Sequence, residues 1–280
     1  MRAGVFLPLF CAVLSVSSFA EDLPEPVLLG RLPREIPESS GLALSTRRAH
    51  VYWTLNDENN AAELFAVDAQ GQLLRRVEVP GARNVDWEDL AADGKGNLVI
   101  GDFGDNGCSR AECVLYVLPE PDPDKPGEKI APDSVRTHRF RYPKEAGAQD
   151  AEALVVRDGA AFIFTKEKER ARMFRLDLPE KPPAEPAVLE FVAEVPDVAF
   201  LTSASLSADG ARLALLSYGV VWSFECRKEP KFCIVFKPRK RTALLGQSEG
   251  ICWDGDDLLI SCEDNKAGER REFWRMPKAK

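Results

Sequence analysis

A chain of 280 residues with 45 Asp and Glu against 37 Lys and Arg, a formal charge of −8, is poorly suited to nucleic acid, where affinity rests on neutralising phosphates. Hydrophobic residues make up 45% of it, enough for one large domain or two small ones around a buried core. Beyond the N-terminal apolar run no segment reaches the roughly 18 unbroken apolar residues of a spanning helix, so no membrane span is expected.

Arg2, the apolar run from Val5 to Val16 and the small residues of "SSFA" match the three sections of a secretory signal peptide, residues 1–20, with cleavage expected after Ala20. Cys11 lies inside the apolar run without the small residues that precede a lipoprotein cysteine, which favours a free exported protein over a lipid-anchored one. Residues 21–280 are then expected to form one domain, periplasmic or secreted.

From there the chain reads as β-structure. The run "PVLLGRL" (26–32) stands alone at the start, and short apolar runs follow between turn signals such as "DAQGQ", "ADGKGN", "SADGAR" and "WDGDD". Five units repeat: "SGLALSTRRAHVYWTLNDE", "EDLAADGKGNLVIGDFGDN", "EALVVRDGAAFIFTKEK", "ASLSADGARLALLSYG" and "EGICWDGDDLLISCEDN". They open on Ser40, Glu88, Glu152, Ala204 and Glu249, at intervals of 48, 64, 52 and 45 residues, which suit four-stranded propeller blades. A third strand follows each pair, and the first four units carry a fourth, such as "QLLRRVEV" and "AVLEFVAEV". The long second interval holds the Pro-rich "PEPDPDKPGEKIAPD" (119–133), an excursion within one blade. The fifth unit lacks its outer strand, and "PVLLGRL" can supply it beside "REFWRM", which removes an exposed edge. The expected fold class is all-β, a five-bladed β-propeller, with six blades as the alternative if 119–149 hides another unit.

This arrangement explains acids at strand heads. The first strand of each propeller blade lines the axis, so the leading residues converge at one end of the channel. The antiparallel second strand returns to the same face and brings Asn56, Asp57, Asp102, Lys166, Glu167, Ser217, Tyr218, Glu263 and Asp264. Carboxylates this close raise one another's pKa unless a cation compensates. Glu88, Glu152, Glu249 and Asp102 are therefore the expected metal ligands, and their hard oxygens, without His or Cys nearby, favour calcium. Asn56, Asp57, Lys166, Ser217, Tyr218 and Glu263 are expected to line a ligand site, with Asn56 and Glu263 also able to complete the metal shell. Two readings stand beside this one: Lys166 neutralises one glutamate while amides and water satisfy the others, or the glutamates face solvent in a wide channel.

Six cysteines follow the signal peptide as three close pairs, Cys108 with Cys113, Cys226 with Cys233 and Cys252 with Cys262, which in an exported chain favours local disulfides. His50 and His138 are far apart and read as surface strand residues. The basic "KPRKR" (237–241) reads as a solvated loop between two strands. There is no G-x-S-x-G elbow, and Ser203, Ser217 and Ser248 have no partner histidine in the repeat.

The blade openings "SGLAL", "EALVV" and "EGICW", with "KEK" at 166–168, resemble the SdiA-regulated proteins of bacteria over nearly the whole exported chain. That resemblance implies a five-bladed propeller with a calcium site and no established activity. "DWEDLA" followed by "GDFGDN" is similar to a wider group of exported propellers labelled esterase-like after phytase propellers. Ser40 and Ala204 depart from the acidic pattern, which leaves the number of ligand-giving blades open. Two functions follow. One is a calcium-binding propeller, a monomer acting as a binding or scaffold module in the cell envelope and taking a small molecule or peptide at the channel mouth. The other is a metal-dependent hydrolase of lactonase, esterase or phosphoesterase type, whose calcium polarises a carbonyl or phosphoryl oxygen. The hydrolase needs a general base, for which Asp102 and Glu263 are the candidates, and a phytase needs clustered cations where only Lys166 stands. Binding is the preferred reading, and fold alone does not decide.

Overall fold

The computed structural model describes residues 25–227, 233–242, 247–264 and 270–278, excluding the side chains of 233–242. The expected signal peptide lies outside the described residues. Strand β1 is Val27–Arg31. Blade 1 holds β2 (Ser39–Leu44), β3 (Tyr52–Asn56), β4 (Glu63–Val67) and β5 (Leu73–Glu78). Blade 2 holds β6 (Trp87–Ala92), β7 (Asn97–Asp102), β8 (Cys113–Pro119) and β9 (Arg136–Arg141). Blade 3 holds β10 (Ala151–Arg157), β11 (Ala160–Thr165), β12 (Ala171–Asp177) and β14 (Glu190–Val195), while β13 (Ala187–Val188) crosses to pair with β9. Blade 4 holds β15 (Leu201–Leu206), β16 (Arg212–Ser217), β17 (Val220–Arg227) and β18 (Cys233–Thr242). Blade 5 holds β19 (Ser248–Asp254), β20 (Asp257–Cys262) and β21 (Glu272–Met276), with β1 as its outer strand.

The axial strands touch in the order β2, β6, β10, β15, β19 and back to β2, so the five sheets close into a ring. Closure uses the N-terminal strand as expected: Val27 faces Arg275 and Arg31 faces Glu272. The 119–149 stretch holds a 3-10 turn, Pro132–Ser134, and the fourth strand of blade 2, not a sixth blade. No helix among the described residues is long and apolar enough to cross a membrane.

Inner strands such as β10 and β11 are buried along their whole length, because each is covered on both faces by neighbouring blades. Outer strands such as β9 alternate between buried and exposed positions. The core is split between blade interfaces: Trp53 and Leu55 against Leu90 and Ile100, Leu115 and Phe140 against Leu154 and Phe174, and Phe162 and Phe164 against Leu213 and Leu215. Leu216 and Val221 against Ile251 and Ile260, and Phe273 against Leu42 and Phe65, complete the circle. Each such side chain contributes roughly 1.5–3 kcal/mol on burial, so the ring is held by all five seams together. The Pro-rich excursion is fastened back onto blade 1, where Arg75 donates to the carbonyls of Asp122 and Glu128 and the Glu120 carboxylate accepts from Ser45 Oγ (2.5 Å) and Trp53 Nε1 (2.9 Å).

Several expectations change. Cys108 and Cys113 are free thiols: Cys108 sits in an exposed turn, while Cys113 points into the core between blades 2 and 3. Cys252 and Cys262 are free as well, because Cys252 faces Leu259 and Cys262 faces Ser248, roughly 10 Å apart along the ladder. Cys226 faces Ile234 and Cys233 faces Arg227, and the side chain of Cys233 lies outside the described residues. "KPRKR" belongs to β18 and is not a loop, with Arg239 and Lys240 opposite Ser223 and Trp222. His138 is buried in β9 rather than on the surface, and burial lowers its pKa to about 4. His50 is exposed, at the opposite end of β3 from the acidic ring, where its Nδ1 lies 2.9 Å from Asp254.

Candidate cation-binding channel mouth

The register slips at the head of every axial strand: between Ser39 and Leu42, Trp87 and Asp89, Ala151 and Ala153, Leu201 and Ser203, and Ser248 and Gly250. Such a bulge leaves a residue out of the ladder and re-aims its side chain. The residues inside the slips include Ser40, Glu88, Glu152, Thr202 and Glu249. This is how an acid fits at the head of an otherwise buried strand. In blade 4 the equivalent is Thr202, two residues before Ala204, because the small pair after it repeats the pattern of a unit opening. Thr202 Oγ1 donates to the Ser248 carbonyl at 2.8 Å and ties blade 4 to blade 5.

Ligand oxygens of Asp57, Asp86 and Glu88 all lie within 4.8 Å of one another. Asp57 directly follows β3, Asp86 directly precedes β6, and Glu88 occupies the β6 bulge. The turn of "GDFGDN" holds Asp86 through the amides of Phe103 and Gly104, which donate to its carbonyl at 3.1 and 3.2 Å. Gly104 cannot carry a side chain here, since a Cβ would fall on the carboxylates of Glu88 and Asp86. Burial, then the charge of Asp57, raises the pKa of Asp86 to about 7; burial raises Asp57 to about 6. Glu88 is pushed well above the ordinary carboxylate range by burial and by Glu152, Asp57 and Asp86. The Oδ1 of Asp86 is buried without a hydrogen-bond partner.

Glu152 meets a cation of the chain itself, Lys166 Nζ at 2.6 Å, while burial still raises its pKa to about 7. Burial works against the charge of Lys166, but Glu152 outweighs it and holds the lysine protonated. The same ammonium lies 5.4 Å from the centre of the Tyr218 ring. On blade 5, burial and Glu263 raise Glu249, whose Oε2 has no hydrogen-bond partner, and burial raises Glu263 to about 8. Asp102 is placed differently from its expected role: it pairs with Arg110 at 2.8 Å and accepts from the Asp86 amide at 3.2 Å, positioning Asp86 from behind. Asn56 is turned to the 35–38 segment, accepting from the Glu38 amide and donating to the Glu35 carbonyl. Ser217 Oγ donates to the Ala199 carbonyl. Asp86 opens the "DWED" motif, but it joins the site only because the turn after β7 folds back onto it, a long-range contact that carries no local sequence signal.

One residue beyond Glu88, Asp89 is fully buried in the channel. Its Oδ1 accepts from the Leu90 amide (2.9 Å) and Ser203 Oγ (3.0 Å), and its Oδ2 from the amides of Leu154 (2.7 Å) and Ala204 (3.2 Å). These bonds join blades 2, 3 and 4. A separate surface cavity of about 650 Å³, with Arg110, Arg141 and Lys144 in its wall, is lined by none of the mouth carboxylates.

No family model and no curated protein matches this chain. Among solved structures, the glutaminyl cyclase of Myxococcus xanthus is similar at 10% identity, over 90% of this chain and 94% of that one, with a TM-score of 0.54. The PQQ-bound aldose sugar dehydrogenase of Streptomyces coelicolor aligns at 13% identity over 92% and 99%, with a TM-score of 0.48. An auxiliary nutrient binding protein of Bacteroides thetaiotaomicron aligns at 9% identity over 88% and 70%, with a TM-score of 0.47. At such identities likeness speaks for the fold alone, and any function has to be read from the residues of the mouth.

Proposed function

We propose that this chain is an exported calcium-binding propeller of the SdiA-regulated type that uses the acidic end of its channel as a ligand-binding face. Asp57, Asp86 and Glu88 hold the ion, and water completes its shell. The observation that carries this reading is the convergence of three carboxylates within 4.8 Å, one of them with a buried oxygen that no protein group satisfies. A hard divalent cation supplies what the site lacks, and the oxygen donors, with no His or Cys among them, suit calcium over zinc. Gly104 keeps the space beside two of the ligands clear. Glu152 leaves the expected ligand set because Lys166 already neutralises it, so the lysine reading applies to Glu152 and the metal reading to Glu88.

Binding is favoured over hydrolysis by where the imidazoles lie. His50 is at the far end of β3 and His138 is buried in an outer strand, so the general base of a hydrolase would have to be one of the carboxylates. Calorimetric titration with calcium chloride tests the reading: one ion per chain is expected for the parent, with at least tenfold weaker binding in Asp86→Asn. Absence of heat with the parent, or unchanged affinity in Asp86→Asn, contradicts it.

A further inference from the structure

The mouth has two acidic halves. Asp57, Asp86 and Glu88 lie on blades 1 and 2 and Glu249 and Glu263 on blade 5, which adjoins blade 1 in the ring, while the Glu152–Lys166 pair stands on blade 3. Glu249 sits in the β19 bulge and Glu263 just past β20. The Glu263 amide donates to the Gln247 carbonyl at 2.9 Å, which extends the β19–β20 pairing past Cys262, and the charge of Glu263 acts on Glu249. Glu249 is only 5% exposed, and its Oε2 is buried with no partner.

The blade 4 side of this half is aromatic. Tyr218 and Phe200, at the mouth ends of β16 and β15, are 42% and 45% exposed. Phe200 has a φ of 51°, a left-handed backbone that is unfavourable for a bulky residue. Its amide donates to the Glu167 carbonyl at 2.8 Å, and Ser217 Oγ grips the preceding carbonyl at 2.8 Å. The fold thus holds an aromatic ring in solvent at the channel mouth. Tyr218 already attracts one ammonium, that of Lys166, as the negative face of an aromatic ring does.

We propose that this half of the mouth binds a small organic amine in its ammonium form, with Glu249 and Glu263 accepting its N–H groups and Tyr218 and Phe200 covering its apolar body. A second metal ion fits less well: two carboxylates beside an aromatic wall fall short of the six to eight oxygens that calcium takes. The inference rests on the reading of the mouth as a ligand-binding face, but it uses none of the residues assigned to calcium.

The test is calorimetric titration with phenethylammonium, 3-phenylpropanol and 3-phenylpropionate, each in excess calcium chloride and again in EDTA. Phenethylammonium should bind at least tenfold more tightly than the neutral and anionic probes. Glu249→Gln should weaken it at least tenfold, and Glu263→Gln provides the same test if Glu249→Gln does not fold. Phe200→Gly, which suits the left-handed backbone, should weaken binding three- to tenfold without lowering the melting temperature. Equal affinity for the three probes, or an affinity that neither glutamate variant changes, overturns the proposal. If calcium binds and phenethylammonium does not, this site is refuted and the calcium reading stands. If phenethylammonium binds to a protein indifferent to calcium, the calcium reading fails and this site stands.

Discussion

Glu88 and Asp89 are adjacent in the chain, both buried, and opposite in character. Asp89 faces into the channel interior, where three amides and a hydroxyl from three blades meet its two oxygens. Glu88 turns at a bulge toward the mouth, where it meets other carboxylates and a long contact from Ser40 Oγ at 3.4 Å. A buried acid surrounded by donors is part of the framework; one surrounded by acids lacks a counter-charge. Burial does not distinguish the two roles, and the count of donors does.

Breaking the framework side should have the largest effect. Asp89→Asn places an amide NH2 against existing donors, and loss of this buried network should cost on the order of 3 kcal/mol in urea unfolding. The calcium response should survive in whatever fraction folds. A loss below about 1 kcal/mol would mean that the blades do not depend on Asp89.

The mouth should respond to pH in the opposite way to an ordinary paired carboxylate. Groups whose folded pKa is raised, Asp57 to about 6, Asp86 to about 7 and Glu263 to about 8, favour folding most fully below their unfolded values near 4. That contribution is lost as pH rises through the folded values. In EDTA, stability should therefore decline between about pH 4.5 and 8, and calcium should flatten the decline. A metal-free protein whose melting temperature rises steadily over that range would show that the mouth carboxylates are already compensated.

Glu88→Gln sharpens the contrast with Asp89→Asn by reversing its sign. Removing one of the crowded charges should stabilise the metal-free protein at pH 8 by about 1 kcal/mol, the scale of one pKa unit, and abolish the calcium response. Destabilisation in EDTA would place Glu88 with the framework acids instead.

The ring itself was legible in the sequence because each blade repeats an apolar strand pair around a Gly/Asp turn, and because the orphan "PVLLGRL" matched the strand missing from the last unit. The polar mouth was legible for the same reason: Glu88, Glu152 and Glu249 share one repeat position. What could not be read was partnership. Beyond the lysine that neutralises one glutamate, which the repeat allowed, Asp102 finds Arg110 through side-chain geometry, and Asp86 joins the cluster only when "GDFGDN" folds over it. The cysteine spacing misled because proximity in the chain does not set which face of a strand a thiol occupies. Thr202 was masked by the small residues after it.

A buried base away from the axis gives the smallest predicted effect. His138 has its pKa lowered to about 4 by burial, so the folded form is disfavoured as pH falls from about 6.5 toward 4. His138→Leu should flatten that acid limb of the stability profile and leave the calcium response untouched. An unchanged limb would assign the acid sensitivity to other groups.

The central claim is most directly tested by melting the purified protein in calcium chloride and in EDTA, with metal analysis of the same sample. At a hundredfold excess over Kd, binding to the folded ring alone adds about 2.7 kcal/mol. For a chain of this size, that is a rise of roughly 5–10 °C. The account predicts such a rise with one calcium per chain. Superimposable melting curves, together with no stoichiometric ion, would contradict it.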